Sequence, residues 1–199
     1  RVWIKQANAA CQTALCHWAE PLSVMAQTAL GREYPQGFLD VAWRWLLQNH
    51  PHDSICGCSI DAVHEDMKYR FHQAQGIAER LTIEATRAIA SQVAGELAPD
   101  TLRVVAFNPL PQTLEEPAEL TLPIPCDWPT FNEFFGFEPK PAFRIYDPEG
   151  NEVPYQRLSQ AMNRTRFRVQ ETRFPHAYRT HDVRVVLPLA VPAVGYTTL

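Results

Sequence analysis

The stretch Ser59-Ile60-Asp61-Ala62-Val63-His64-Glu65-Asp66-Met67-Lys68-Tyr69-Arg70-Phe71 decides how the front of this chain folds. Its apolar line continues as Ile60, Val63, Met67, Phe71, Ala74, Ile77, Leu81, Ala85 and Ala88, in steps of three and four. That period puts them on one face of a long helix. Ser59 or Asp61 stands where a side chain caps a helix start, and Asp61, Glu65 and Asp66 suit the positive end of its dipole. Gly95 and Pro99 should stop it.

Upstream, a second helix is expected from about Gln36, carrying Phe38, Leu39, Val41, Ala42, Trp43, Trp45, Leu46 and Leu47 and ending before Pro51. A first helix is expected from about Trp3 to Leu30, bent near Pro21 and stopped at Gly31. Three amphipathic helices with short connections predict an antiparallel bundle.

Downstream, proline changes the character of the chain. Of the 17 prolines only Pro21, Pro35 and Pro51 precede Pro99. Proline is excluded from helix interiors, so the back half should be strands and turns. Strand candidates are 102–107, stopped by Asn108-Pro109; 119–122, closed by Pro123; 164–169; and 183–187, ahead of Pro188. Asp147-Pro148-Glu149-Gly150-Asn151 reads as a turn, and the aromatic, proline-rich segment 128–143 as an irregular loop. The expected fold class is α+β: a three-helix bundle over residues 1–98, then a partial antiparallel β-sandwich-like domain over 99–199.

With 199 residues, 46% of them hydrophobic and 20% charged, the chain can bury a sizeable core. A net charge of −4 offers no basic field for nucleic acid. No apolar run approaches the roughly 20 residues that span a bilayer. Five cysteines, an odd number without a regular framework, point to a reducing, cytoplasmic setting. Arg1 opens in helical pattern and Tyr196–Leu199 reads as an unfinished strand, so both ends are expected to be cut from a longer chain.

Chemistry concentrates between the second and third helices, in Asn49-His50-Pro51-His52-Asp53-Ser54-Ile55-Cys56-Gly57-Cys58-Ser59. Two His, one Asp and two Cys in one short loop are all transition-metal ligand types. Pro51 and Gly57 break regular helix and allow these groups to converge. The plainer reading is also open: His at a helix end favours the dipole, Asp53 caps the next turn, and Cys56 and Cys58 are small buried fillers.

From Asn49 to Met67 the run resembles glycoside hydrolase family 38, the α-mannosidases, and within it the bacterial branch of mannosylglycerate hydrolases. Ala42-Trp43-Arg44 and Leu46-Leu47-Gln48 match the family's approach to this loop, and the Val104–Pro109 strand resembles the opening of its β-region. The resemblance implies an N-terminal α/β barrel ahead of a three-helix middle domain and β-domains behind it. It implies a zinc ion held by barrel residues together with His52, and an Asp53 that contacts the zinc-bound sugar. The nucleophilic Asp belongs to the barrel, so no catalytic residue is expected in this chain. An α-mannoside substrate, a homo-oligomer and an inactive fragment of an active glycosidase complete the expectation.

Other candidates carry a structural and a functional reading each. His64 and His72 stand about two helical turns apart and suit a solvated or core-edge place, or a second metal site. Trp43 and Trp45 suit bundle packing, or a sugar platform. Arg164, Arg166 and Arg168 suit a solvated sheet face, or an anion contact. Two further functions compete with the glycosidase reading. One is a self-contained zinc module using His50, His52, Cys56 and Cys58; the other is a carbohydrate-binding β-module.

Overall fold

A computed structural model describes residues 1–93, 95, 97–170 and 173–199, with the side chains of 169, 170 and 173, Val169 among them, outside the description. The protein combines helices with antiparallel sheet. The helices are α1 (Val2–Thr13), α2 (Glu20–Leu30), α3 (Gln36–Leu47), α4 (His52–Cys56) and α5 (Asp61–Ala90). The strands that follow are β1 (Val105–Asn108), β2 (Leu114–Pro125), β3 (Thr130–Phe131), β4 (Lys140–Pro141), β5 (Gln156–Gln170), β6 (Arg173–Val191) and β7 (Gly195–Thr198).

Residues 1–95, 107–112 and 193–195 form one compact unit; 96–106, 113–192 and 196–199 form the other.

In the first unit α1 and α2 are joined without a break by a π-helical turn, Ala14–Ala19. Pro21 lies directly after it and has no N–H to give the preceding turn. The widened turn accommodates the proline where a sharp bend is otherwise expected. Gly31, in the left-handed region at φ 66°, ends α2 through its amide to the Gln27 carbonyl at 2.8 Å.

Polar contacts fix the helix directions. Arg1 meets Asp61, Cys11 Sγ donates to the Phe71 carbonyl at 3.4 Å, and Arg32 reaches Glu84 at 3.2 Å, so α1–α2 and α5 run the same way. Asn8 meets His50 and Glu20 meets Trp43, so α3 runs against them. Ile4, Cys11, Leu15, Ala19, Leu39, Ala42, Leu46, Met67, Phe71, Ala74, Ala78 and Leu81 pack into one core. Leu22, Ala26, Ala85 and Ile89 form a second, with Met25 and Phe107 against it.

The start of α5 differs from expectation. Its N-cap is Ile60, and neither Ser59 nor Asp61 supplies a side-chain cap; the Asp61 carboxylate is taken by Arg1. The helix ends at Ala90, ahead of Gly95.

In the second unit a three-stranded antiparallel sheet has the order β2-β6-β5. Leu122, Ile124, Ile145, Val183, Val185 and Leu187 make its core. A short antiparallel pair, β3–β4, belongs to the same unit.

The strands are longer than their prolines suggest. Pro123 does not close β2, and Pro188 does not close β6. β2 is an edge strand, and Pro117, Pro123 and Pro125 all share one parity along it. Pro117 faces Pro188, a pair that can exchange no N–H bond, so this parity points its N–H away from β6. Pro188 lies past the end of β5, whose pairing starts at Gln156↔Val186, so β6 has only β2 beside it there. The expected turn is present: the Gly150 amide donates to the Asp147 carbonyl at 3.0 Å, beside the bridge Tyr146↔Glu152.

Candidate functional site

The connection from α3 to α5 is built in three parts: a turn over 48–50, the helical turn α4, and a left-handed exit at Gly57 with φ 85°. Part of the expected loop is therefore helix. Pro51 at φ −48° and ψ 137° sets the chain into α4, and no side chain caps it. The Asp53 carbonyl accepts the amides of Cys58 at 3.0 Å and Ser59 at 3.2 Å, which ties off the exit. Gly57 packs so closely on Arg1 that an added Cβ would lie 2.8 Å from the Arg1 nitrogen.

His52 and Asp53 are the first two residues of α4 and point outward. Their side chains are 91% and 65% exposed, with His52 Nε2 and Asp53 Oδ1 3.3 Å apart. Ser54 beneath them is buried. The pair is thus presented to solvent from a base that is fixed on both sides.

The remaining motif residues part company. His50 is half-buried, and its Nε2 lies 2.7 Å from the Asn8 amide oxygen. Cys56 and Cys58 are exposed, not fillers. Among the described residues no group of three or more His, Cys, Asp and Glu side chains could hold a metal, so His50, His52, Cys56 and Cys58 do not form a closed site. Asn49, present in the motif but given no role above, is fully buried. Its Nδ2 donates to the Met67 carbonyl at 3.1 Å, and its Oδ1 accepts from Arg70 at 3.5 Å. A polar residue two positions past the apolar end of α3, at the head of the quoted motif, was the signal for it.

His64 is buried against the edge of Trp3, and neither ring nitrogen has a hydrogen-bond partner; His72 is exposed. Of the two places expected, solvated or core-edge, His72 takes the solvated one, while His64 is buried within the helical packing. Trp43 donates to Glu20 at 2.7 Å and Trp45 meets Tyr69 edge-on at 5.7 Å, both against the helical core. Arg166 is committed to Asp182 at 2.7 Å, and Arg168 lies over Tyr178 at 5.7 Å.

No helix among the described residues is long and apolar enough to cross a membrane.

A family model described as the alpha mannosidase middle domain matches residues 1–89. A Halalkalibacterium halodurans protein provisionally named mannosylglycerate hydrolase is 42% identical over 93 residues, which is 47% of this chain and 10% of that protein. The crystal structure of an α-mannosidase from Enterococcus faecalis V583 superposes on the whole chain with a TM-score of 0.83 at 29% identity, over 23% of its own length. A structure of an Enterococcus faecalis protein in glycosyl hydrolase family 38 does so with a TM-score of 0.81 at 29% identity, over 24% of its length. The chain therefore spans a tenth of one relative and about a quarter of the others. The chain is similar to the family 38 α-mannosidases, with residues 1–89 matching the alpha mannosidase middle domain.

Proposed function

We propose that this chain is part of a zinc-dependent retaining glycosidase acting on α-mannosides, and that it supplies His52 as a zinc ligand and Asp53 as a sugar contact. The observation that carries this is the exposed His52–Asp53 pair on a fixed base. Zinc takes about four ligands, and one imidazole with a neighbouring carboxylate is too few. An unburied imidazole with no buried partner of its own is, however, suited to complete a site whose other ligands come from elsewhere.

The relatives' greater length supports an N-terminal barrel of the same polypeptide as that source. Retaining hydrolysis needs one carboxylate to attack the anomeric carbon and a second carboxyl group to protonate the leaving oxygen. Both belong to the barrel in this reading. When bound, zinc would polarise and orient neighbouring sugar hydroxyls, a templating role. His52 would hold it as neutral imidazole, and Asp53 would accept a hydrogen bond from a sugar hydroxyl and fix the ring's orientation.

The architecture in this reading is an up-down-up three-helix bundle over residues 1–98 and the first part of a β-sandwich-like domain over 99–199. The helix directions support the former, and the sheet with its one-sided core supports the latter. Five free cysteines support a reducing, cytoplasmic setting, and a homo-oligomer is part of the proposal by family resemblance.

Zinc content of the intact protein, barrel included, is the test. Near-stoichiometric zinc that falls away in His52→Ala, with mannosidase activity lost in parallel, is the expected result. Zinc and activity unchanged in His52→Ala would overturn the assignment. The 199-residue chain by itself should show no α-mannosidase turnover.

A further inference from the structure

We infer that His50 and Asn49 are positioning residues for His52, a role that rests on the proposed zinc-ligand function. Neither contacts the exposed face of the site. What they do is clamp the stretch that leads into α4 to two different helices. His50 Nε2 lies 2.7 Å from Asn8 Oδ1 on α1, where the amide oxygen accepts and the ring nitrogen donates. Asn49 Nδ2 donates to the Met67 carbonyl of α5 at 3.1 Å, and its Oδ1 accepts from Arg70 Nη1 at 3.5 Å.

Consecutive residues of an extended or turning chain send their side chains in different directions, and here each direction ends on a separate helix. One anchor alone would leave the chain free to pivot. Two anchors on different helices, α1 and α5, fix both its position and its rotation. The next residue, Pro51, has a fixed φ, which removes one of the backbone rotations between these anchors and His52. Beyond α4, the Asp53 carbonyl and the Gly57–Arg1 approach hold the far end. The His52 side chain therefore keeps its own rotamers and little else.

Groups hydrogen-bonded directly to a metal ligand are worth about 10–100-fold in metal affinity when removed, and an anchor one step behind the ligand acts in the same sense with a smaller effect. Cut from its anchors, the α3–α4 junction samples more directions, and the metal site must pay that ordering on binding.

The experiment uses the intact protein and zinc alone, with affinity read by chelator competition and thermal unfolding read on the metal-free form. His50→Ala and Asn8→Ala should each weaken zinc binding measurably, by up to about 10-fold. The double variant should be no worse than the single ones, because both break one contact. Metal-free melting temperatures should change little. His50→Gln keeps a donor within reach of Asn8 and should recover part of the affinity. Asn49→Ala should weaken zinc binding and also lower stability, since it leaves a buried gap. Zinc affinity in His50→Ala and Asn8→Ala equal to wild type would overturn the inference while leaving His52 as ligand intact. Additive losses in the double variant would overturn the clamp. A wild-type protein without zinc affinity would instead overturn the functional reading, and the positioning role with it. Should His50→Ala fail to fold, Asn8→Ala and His50→Gln carry the same comparison.

Discussion

The main-chain oxygen of Asp53 accepts the amide of Cys58 at 3.0 Å, so the residue whose carboxylate faces solvent also closes its own helical turn. The Ser59 amide joins the same oxygen at 3.2 Å, across a Gly57 held at φ 85°. Side-chain chemistry and main-chain closure therefore meet in one residue.

Gly57→Ala should be costly at this exit. An L-residue in the left-handed region costs about 1–2 kcal/mol. The added Cβ would also press on the Arg1 nitrogen. Urea unfolding should show a loss of at least that size. An unchanged midpoint would mean that the turn has another accessible conformation.

Cys11 and the other cysteines should separate chemically. Burial, acting first, pushes the Cys11 thiol up to about 11, and the nearby Glu79 charge acts in the same direction. Cys16, Cys56, Cys58 and Cys126 are exposed. A thiol reagent at pH 8 should leave Cys11 unmodified in the folded chain and reach it on denaturation. The sign also sets a pH trend. The unfolded thiol ionises first, at about 8.5, so this contribution to stability is present below that pH and fades as pH rises towards 11. Rapid labelling of Cys11 in the native state would contradict the buried placement.

Asp147 offers the opposite sign. Hydrogen bonds from the Asn151 side chain, at 3.0 Å, and from its backbone amide, at 2.8 Å, hold the carboxyl below the usual carboxylate range. Its contribution to the turn is present above the ordinary value of about 3.9 and is lost as pH falls through the lowered one. In an NMR titration, Asn151→Ala should move the Asp147 midpoint upward. No movement would remove the Asn151 side chain as the cause and leave its backbone amide.

On α5, two substitutions should separate core from surface. Met67 is fully buried, and Met67→Ala should cost about 2–5 kcal/mol. His72 is exposed, and His72→Ala should stay within about 0.5 kcal/mol. A large loss at His72 would indicate a contact beyond this chain's own helices.

The helical half was largely legible because its signal is local. Apolar steps of three and four from Ile60 to Ala88 need only their own spacing to mark a helix, and α5 covers nearly all of that range. The caps were not legible. A carboxylate at position 61 has a choice of partners, and Arg1, sixty residues away, wins it from the backbone.

The prolines taught the reverse lesson in the sheet. Pro123 and Pro188 read as stops because a central strand rejects a missing N–H. Only the pairing shows that β2 is an edge, that its prolines share the outward parity, and that β6 has lost one neighbour at Pro188. Strand order is a property of distant pairings and leaves no trace in a single strand's sequence.

By itself, the sequence determined where helix gives way to strand and marked a loop of metal-binding residue types, within which the family resemblance points to His52 and Asp53. Tertiary structure decided that these two face solvent, that His50 is spent on Asn8 and Asn49 on Met67, and that Cys56 and Cys58 stand apart from any metal cluster among the described residues. The reason is physical. Composition fixes which groups can bind a metal, but burial and competing hydrogen bonds decide which of them remain free to do so.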